Sequence, residues 1–142
     1  MFASRAVPPL AISTDRVCFI IVKAREFAAK DIVTEPDPGS NPSDDHMVSV
    51  LEDHRNDPTV RELREAIDSL SEEEQVDLVA LMWLGRGDGT LQDWAQIRSD
   101  ADDAHNERTA AYLLGTPLLA DYLEEGLSMF GRSCEDFETG RL

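Results

Sequence analysis

AHNERTAAYLLGTPLLADYLEEGL, from Ala104 to Leu127, is the stretch whose reading decides the fold. Gly115 follows Tyr112, Leu113 and Leu114 and reads as a left-handed helix stop, since glycine reaches positive φ without a Cβ clash. Thr116 reads as the cap of the next helix, with Pro117 at its first position, where a missing N–H costs nothing. Leu118, Leu119, Tyr122, Leu123 and Leu127 then recur at helical spacing, with Asp121, Glu124 and Glu125 between them. So short a link predicts an αα-hairpin whose two helices form an antiparallel or steeply crossed pair.

Upstream, Leu91, Trp94, Ile97, Ala101 and Ala104 define one face of a helix expected to run unbroken to Leu114. Thr90 caps it, with Asp93 at the third position. In the preceding GRGDGT, Gly85 reads as the stop of an earlier helix, and Gly87 and Gly89 as a tight turn. That order accounts for every residue except Arg86 and Asp88. A phosphate loop is a poor reading, because there is no G-x-x-x-x-G-K-[ST], no lysine and no preceding strand. The embedded Arg-Gly-Asp string is short enough to arise by chance. The earlier helix, VDLVALMWLG, is apolar nearly all round from Leu78 to Leu84, which predicts a central place in the core. Ser71 and Glu74 form a capping box at its start. Before it, Asp57–Pro58 opens a helix carrying the stripe Val60, Leu63, Ile67 and Leu70.

The N-terminal part begins irregularly through residue 12, with Pro8 and Pro9 adjacent. Ser13 or Thr14 can cap a helix containing Val17, Ile20, Ile21, Ala24, Phe27 and Ala28 on one face, expected to reach about Lys30. The run 17–22 is also compatible with a buried strand. Residues 31–45, DIVTEPDPGSNPSDD, read as a long surface loop. Their spacing fails the D-x-D-x-D-G calcium pattern. A short helix is expected over Met47–Leu51, and a tail over 132–142, with Phe130 and Phe137 as its anchors. The fold expected is all-α: one domain over 1–142, a compact bundle of about five to six short helices, with the hairpin in its C-terminal half.

The net charge is −16, unevenly spread. Residues 1–30 hold five basic and two acidic groups, so the acidity lies in the remainder. Phosphate binding needs clustered Lys and Arg, so nucleic acid and anionic membrane are not expected partners. The simplest use of Arg16, Lys23, Arg25 and Lys30 is to neutralise the acidic remainder of the domain or of a second subunit. Cys18 falls in an apolar run and Cys134 near the C-terminus, where exposure is expected. Two cysteines do not make a disulfide framework, so a reduced, cytoplasmic setting is expected. No run approaches the length of a transmembrane helix, and Val17–Val22 followed by Lys23 makes a poor signal peptide.

Chemical signals are thin. Asp102 and His105 are three apart, neighbours on a helix face, and read as a surface ion pair before a metal or general-base pair. Arg108 is expected to bridge to Glu124 or Glu125. Trp83, Trp94, Tyr112 and Tyr122 are spaced for burial. No catalytic, cofactor or metal set is recognisable. The residues able to line an interaction or ligand groove are Arg86, Asp88, His105, Arg108 and Tyr122.

Trp83 to Gly87 (WLGRG), the Asp93–Trp94 pair, and Tyr112 to Leu127, together with FIIVKAREF and VTEPDPGSNPSDD, resemble an uncharacterised bacterial family known only as a domain of unknown function. The resemblance covers most of the chain. It implies a bacterial, cytoplasmic protein and supplies no activity, cofactor or partner. Three functions remain. The first, favoured, is a non-enzymatic interaction or regulatory module, homodimeric or bound to a basic protein. The second is an enzyme or small-molecule binder using Arg86, Asp88, His105 and Arg108. The third is a nucleic-acid mimic.

Overall fold

The computed structural model describes residues 7–34 and 57–135. Among them are six α-helices and no strand: α1 (Thr14–Thr34), α2 (Pro58–Asp68), α3 (Glu72–Arg86), α4 (Trp94–Ala104), α5 (Thr109–Leu114) and α6 (Leu119–Met129). A 3-10 turn, Leu91–Asp93, leads into α4. The expected all-α fold is found. Met47–Leu51, residues 35–45, His46, His54 and Phe137 lie outside the described residues.

Local chemistry starts several helices as read. The Ser13 hydroxyl accepts from the Arg16 N–H at the head of α1. Asp57 accepts from Thr59 N–H at 2.7 Å, with Pro58 at the first position of α2. Ser71 and Glu74 satisfy each other's backbone N–H groups at 3.1 and 2.8 Å, and Thr90 and Asp93 form a second such box. Each cap contributes about 1 kcal/mol. The run 17–22 is helical, and α1 continues to Thr34, past the expected end at Lys30 and into the expected loop. Val17, Ile20, Ile21 and Ala24 are buried against α6 and α2. That packing outweighs the weak helix preference of β-branched residues.

Helix α3 is the centre, as its sequence implied. Val76 to Met82 are buried without interruption. It packs most extensively on α6 and then on α4. The α3–α6 crossing is set by two glycines. A Cβ on Gly85 would lie 1.8 Å from the Tyr122 carbonyl oxygen, and one on Gly126 2.5 Å from the Leu81 carbonyl oxygen. The backbones are therefore in direct contact. Gly85 is not the helix stop that its position suggested. The helix continues to Arg86, and Gly87, at φ +104°, ends it.

Three further expectations are corrected. The helix begun at Trp94 does not reach Leu114. It ends at Ala104, and His105 is extended, with ψ 138°. Asn106 competes with the helix for backbone partners: its side chain accepts from the Arg108 N–H at 2.7 Å, and its carbonyl from the Thr109 hydroxyl. At the hairpin, Gly115 is right-handed, with φ −82°, and Thr116 caps nothing. The Thr116 hydroxyl donates back to the Tyr112 carbonyl at 3.1 Å. Leu119 follows a short turn, so Pro117 precedes the helix. The joined helices have different main partners: α5 rests on α2, and α6 on α3 and α1.

The third correction concerns the cysteines. Cys18 and Cys134 form a disulfide across 116 residues, with Cα atoms 5.5 Å apart. Both are buried. Because α6 runs beside α1, the segment beyond it returns to the start of α1, where Arg132 also donates to Thr14 at 3.1 Å. Phe130 is pinned to the core edge-on against Trp94, ring centroids 4.9 Å apart.

Candidate functional site

The two residues that turn grammar left unexplained, Arg86 and Asp88, bind each other. Gly87 N–H donates to Leu84 O and Asp88 N–H to Trp83 O, the paired bonds of a Schellman stop. That closure folds Asp88 back over the last turn of α3. The Arg86 guanidinium then forks onto its carboxylate at 3.2 and 2.6 Å. The same guanidinium lies 5.8 Å from the centre of the Trp83 ring. Trp83 Nε1–H donates to the Tyr112 hydroxyl at 2.8 Å, bridging α3 to α5. The bond to Asp88 raises the Arg86 pKa; partial burial opposes this and the Tyr112 oxygen adds to it. Arg86 is therefore a cation held by Asp88 at the end of α3.

Sequence reasoning placed Tyr112 in the core, yet it is 45% exposed, and Trp83 is half-buried. A signal was present. In TAAYLL, Thr109, Ala110, Leu113 and Leu114 already complete the buried stripe, which leaves Tyr112 on the opposite face. The Tyr112 hydroxyl accepts from Trp83, and its own O–H has no acceptor among the described residues. An aromatic–guanidinium patch results, with Tyr112 at its exposed end.

The other candidates lie elsewhere. His105 Nε2 is 2.8 Å from the Gln75 amide oxygen, and Nδ1 is 3.7 Å from Glu72. Its side-chain partners are on α3, and the expected Asp102 carboxylate is not among them. Glu72 and Arg86 open and close α3, a separation of about 21 Å at 1.5 Å per residue. His105 and Arg86 therefore do not share one cleft. Arg108 is exposed and makes no ion pair among the described residues. Of its expected partners, Glu124 is taken by Arg25 at 2.6 Å, which also holds Asp121 at 3.2 Å, and Glu125 makes no ion pair among the described residues. Tyr122 is half-buried at the α3–α6 crossing.

Residues 60–132, just over half of the chain, match the family model described as "Protein of unknown function (DUF3775)". The chain belongs to this family. Its DUF3775 segment contains the whole Trp83–Arg86–Asp88–Tyr112 patch, whereas α1 and Cys134 lie outside the match. No curated protein and no solved structure matches the chain.

Sequence reasoning also missed Asp77, a carboxylate 1% exposed within the apolar DUF3775 helix α3. It accepts from the Ala11 N–H at 2.5 Å and from Arg98 Nε, tying the N-terminal segment and α4 to the core. A lone acid inside VDLVALM was the available signal. Among the described residues, no group of three or more His, Cys, Asp or Glu side chains is arranged to hold a metal ion. No helix among them is long and apolar enough to cross a membrane.

Three of the α1 cations, Arg16, Lys23 and Arg25, pair within the domain, as their distribution suggested; the Lys30 side chain lies outside the described residues. Arg16 meets Glu74 at 3.2 Å, and Lys23 meets Glu62 at 2.6 Å and Glu26 at 3.5 Å. Arg25 takes the two α6 carboxylates. Exposed pairs of this kind contribute up to about 1 kcal/mol each.

Proposed function

We propose that this protein is a non-enzymatic interaction or regulatory module. In this reading it is a single helical domain over residues 1–142 that binds a basic protein or a second copy of itself; the Cys18–Cys134 bond removes the ground on which a reduced, cytoplasmic setting was expected. The exposed Trp83–Arg86–Asp88–Tyr112 patch carries the proposal. Trp, Tyr and Arg are the residue types that concentrate binding energy in interfaces. Here they are pre-ordered by mutual bonds, so a partner meets them without the usual loss of side-chain freedom. The charge of −16 favours a basic protein over a like-charged copy, over nucleic acid and over an anionic membrane.

The alternative, an enzyme or small-molecule site at Arg86, Asp88, His105 and Arg108, has less support because the length of α3 separates two of its members. A nucleic-acid mimic needs carboxylates ranged at phosphate-like spacing along one face, and Glu62, Glu74, Asp77, Asp88, Asp121 and Glu124, each engaged by a cation, are not free to serve in one.

The test is affinity capture from nuclease-treated native extract, beside an Arg86→Ala, Tyr112→Ala variant. One dominant basic protein, weakened by high salt and lost in the variant, supports the proposal. Equal capture by both overturns it, as does capture of nothing beyond the protein itself when sedimentation shows that protein to be a monomer. Alkylation trapping of Cys18 and Cys134 in intact cells tests the compartment. Free thiols fit the cytoplasm, and a formed bond points to an oxidising compartment.

A further inference from the structure

We infer that the trough between α1 and the α5–α6 turn is a docking groove for a basic amphipathic helix. The inference rests on the interaction reading but uses a face other than the Trp83–Tyr112 patch. Ala24 and Ala28 of α1 form one wall with small side chains, and Leu114, Pro117 and Leu118 form the other. The groove has a volume of about 450 Å³, within the usual ~300–1,000 Å³ of binding clefts. Leu118 is 50% exposed although Leu119 beside it is buried. A largely apolar groove between a helix and a turn can accept the i, i+4 side chains of a second helix.

The rim charge selects the partner. Arg25 and Asp121 both line the groove, and the one guanidinium is shared by two carboxylates, Asp121 and Glu124. With Glu124 held on the same guanidinium as Asp121, this cluster keeps a surplus negative charge. Glu124 raises the Arg25 pKa, partial desolvation opposing it, so the guanidinium stays charged. A second copy would bring the same negative surplus to the contact. A helix with apolar residues on one stripe and Lys or Arg beside it meets both the trough and its rim.

Selection from a displayed library of helical peptides, about four turns long and varied in charge and stripe, tests this with the full chain. The expected binders are basic, with apolar residues at i and i+4. Their affinity should fall about tenfold or more, as for loss of a central interface anchor, on Leu118→Glu and on Ala28→Trp, which fills the trough from an exposed position. Both variants should keep the wild-type circular dichroism. Tyr112→Ala should leave peptide affinity unchanged, which separates this groove from the aromatic patch. No enrichment, acidic or neutral binders, or full affinity in both groove variants would overturn the inference. So would a wild-type dimer that Leu118→Glu makes monomeric, since the occupant would then be a second copy.

Discussion

Reduction of the Cys18–Cys134 bond should lower the melting temperature more than any surface change. The cross-link spans 116 residues. Chain-entropy arithmetic for a loop of that length gives about 5 kcal/mol of stabilisation at 25 °C, by restricting the unfolded ensemble. Unfolding entropy near 2.1 cal/mol/K per residue amounts to about 0.3 kcal/mol/K for this chain, so the loss corresponds to roughly 15 °C. The assay is calorimetry of three samples: oxidised protein, protein unfolded and refolded with reductant, and a Cys18→Ala, Cys134→Ala variant. The two lacking the bond should melt together, well below the first. Both sulfurs are buried, so a reductant added to native protein should act at the rate of the local opening that exposes them. A variant melting within about 3 °C of the oxidised protein, less than 1 kcal/mol on the same scale, would refute the reasoning. So would quantitative alkylation of both thiols in denatured, unreduced protein.

Two further expectations concern the core. Gly85→Ala should destabilise more than Gly87→Ala, although only Gly87 has a left-handed backbone. The Cβ at 85 meets backbone across the α3–α6 crossing, an overpacking cost of about 1–3 kcal/mol or more, whereas the Cβ at 87 meets nothing and costs only about 1–2 kcal/mol of strain; urea melts giving the reverse order would reject the close crossing. Asp77→Leu should cost about 1–3 kcal/mol by leaving the Ala11 N–H and Arg98 without their acceptor, part of the Arg98 loss being recovered from water, and an unchanged urea midpoint would dismiss Asp77 as an anchor.

What was legible in the sequence was local. The Ser71–Glu74 box, Asp57–Pro58 and Thr90–Asp93 each act within three residues, so a short window contains both partners. The central place of α3 was legible for a related reason: a helix apolar on every side can only be buried. Turn grammar failed where tertiary contact decided the outcome. Gly85 looked like a stop and is a crossing point, because its need for a missing Cβ comes from Tyr122 on another helix. Arg86 and Asp88 looked unexplained until the left-handed Gly87 folded one over the other. The groove expected around Arg86, Asp88, His105, Arg108 and Tyr122 rested on local polarity. The trough on the α1 side of the turn had no such local sign, since it arises where α1 packs on α6 and leaves Leu118 uncovered.

By itself the sequence determined that this is an acidic, all-helical protein, where several helices begin, and which helix lies at the centre. Periodicity, capping and charge are properties of neighbouring residues. Only the tertiary structure decided the Cys18–Cys134 bond, the backbone contact at Gly85 and Gly126, the burial of Asp77 beside Arg98, and the exposure of Tyr112. Each depends on residues brought together from distant parts of the chain, and one-dimensional spacing does not encode that approach.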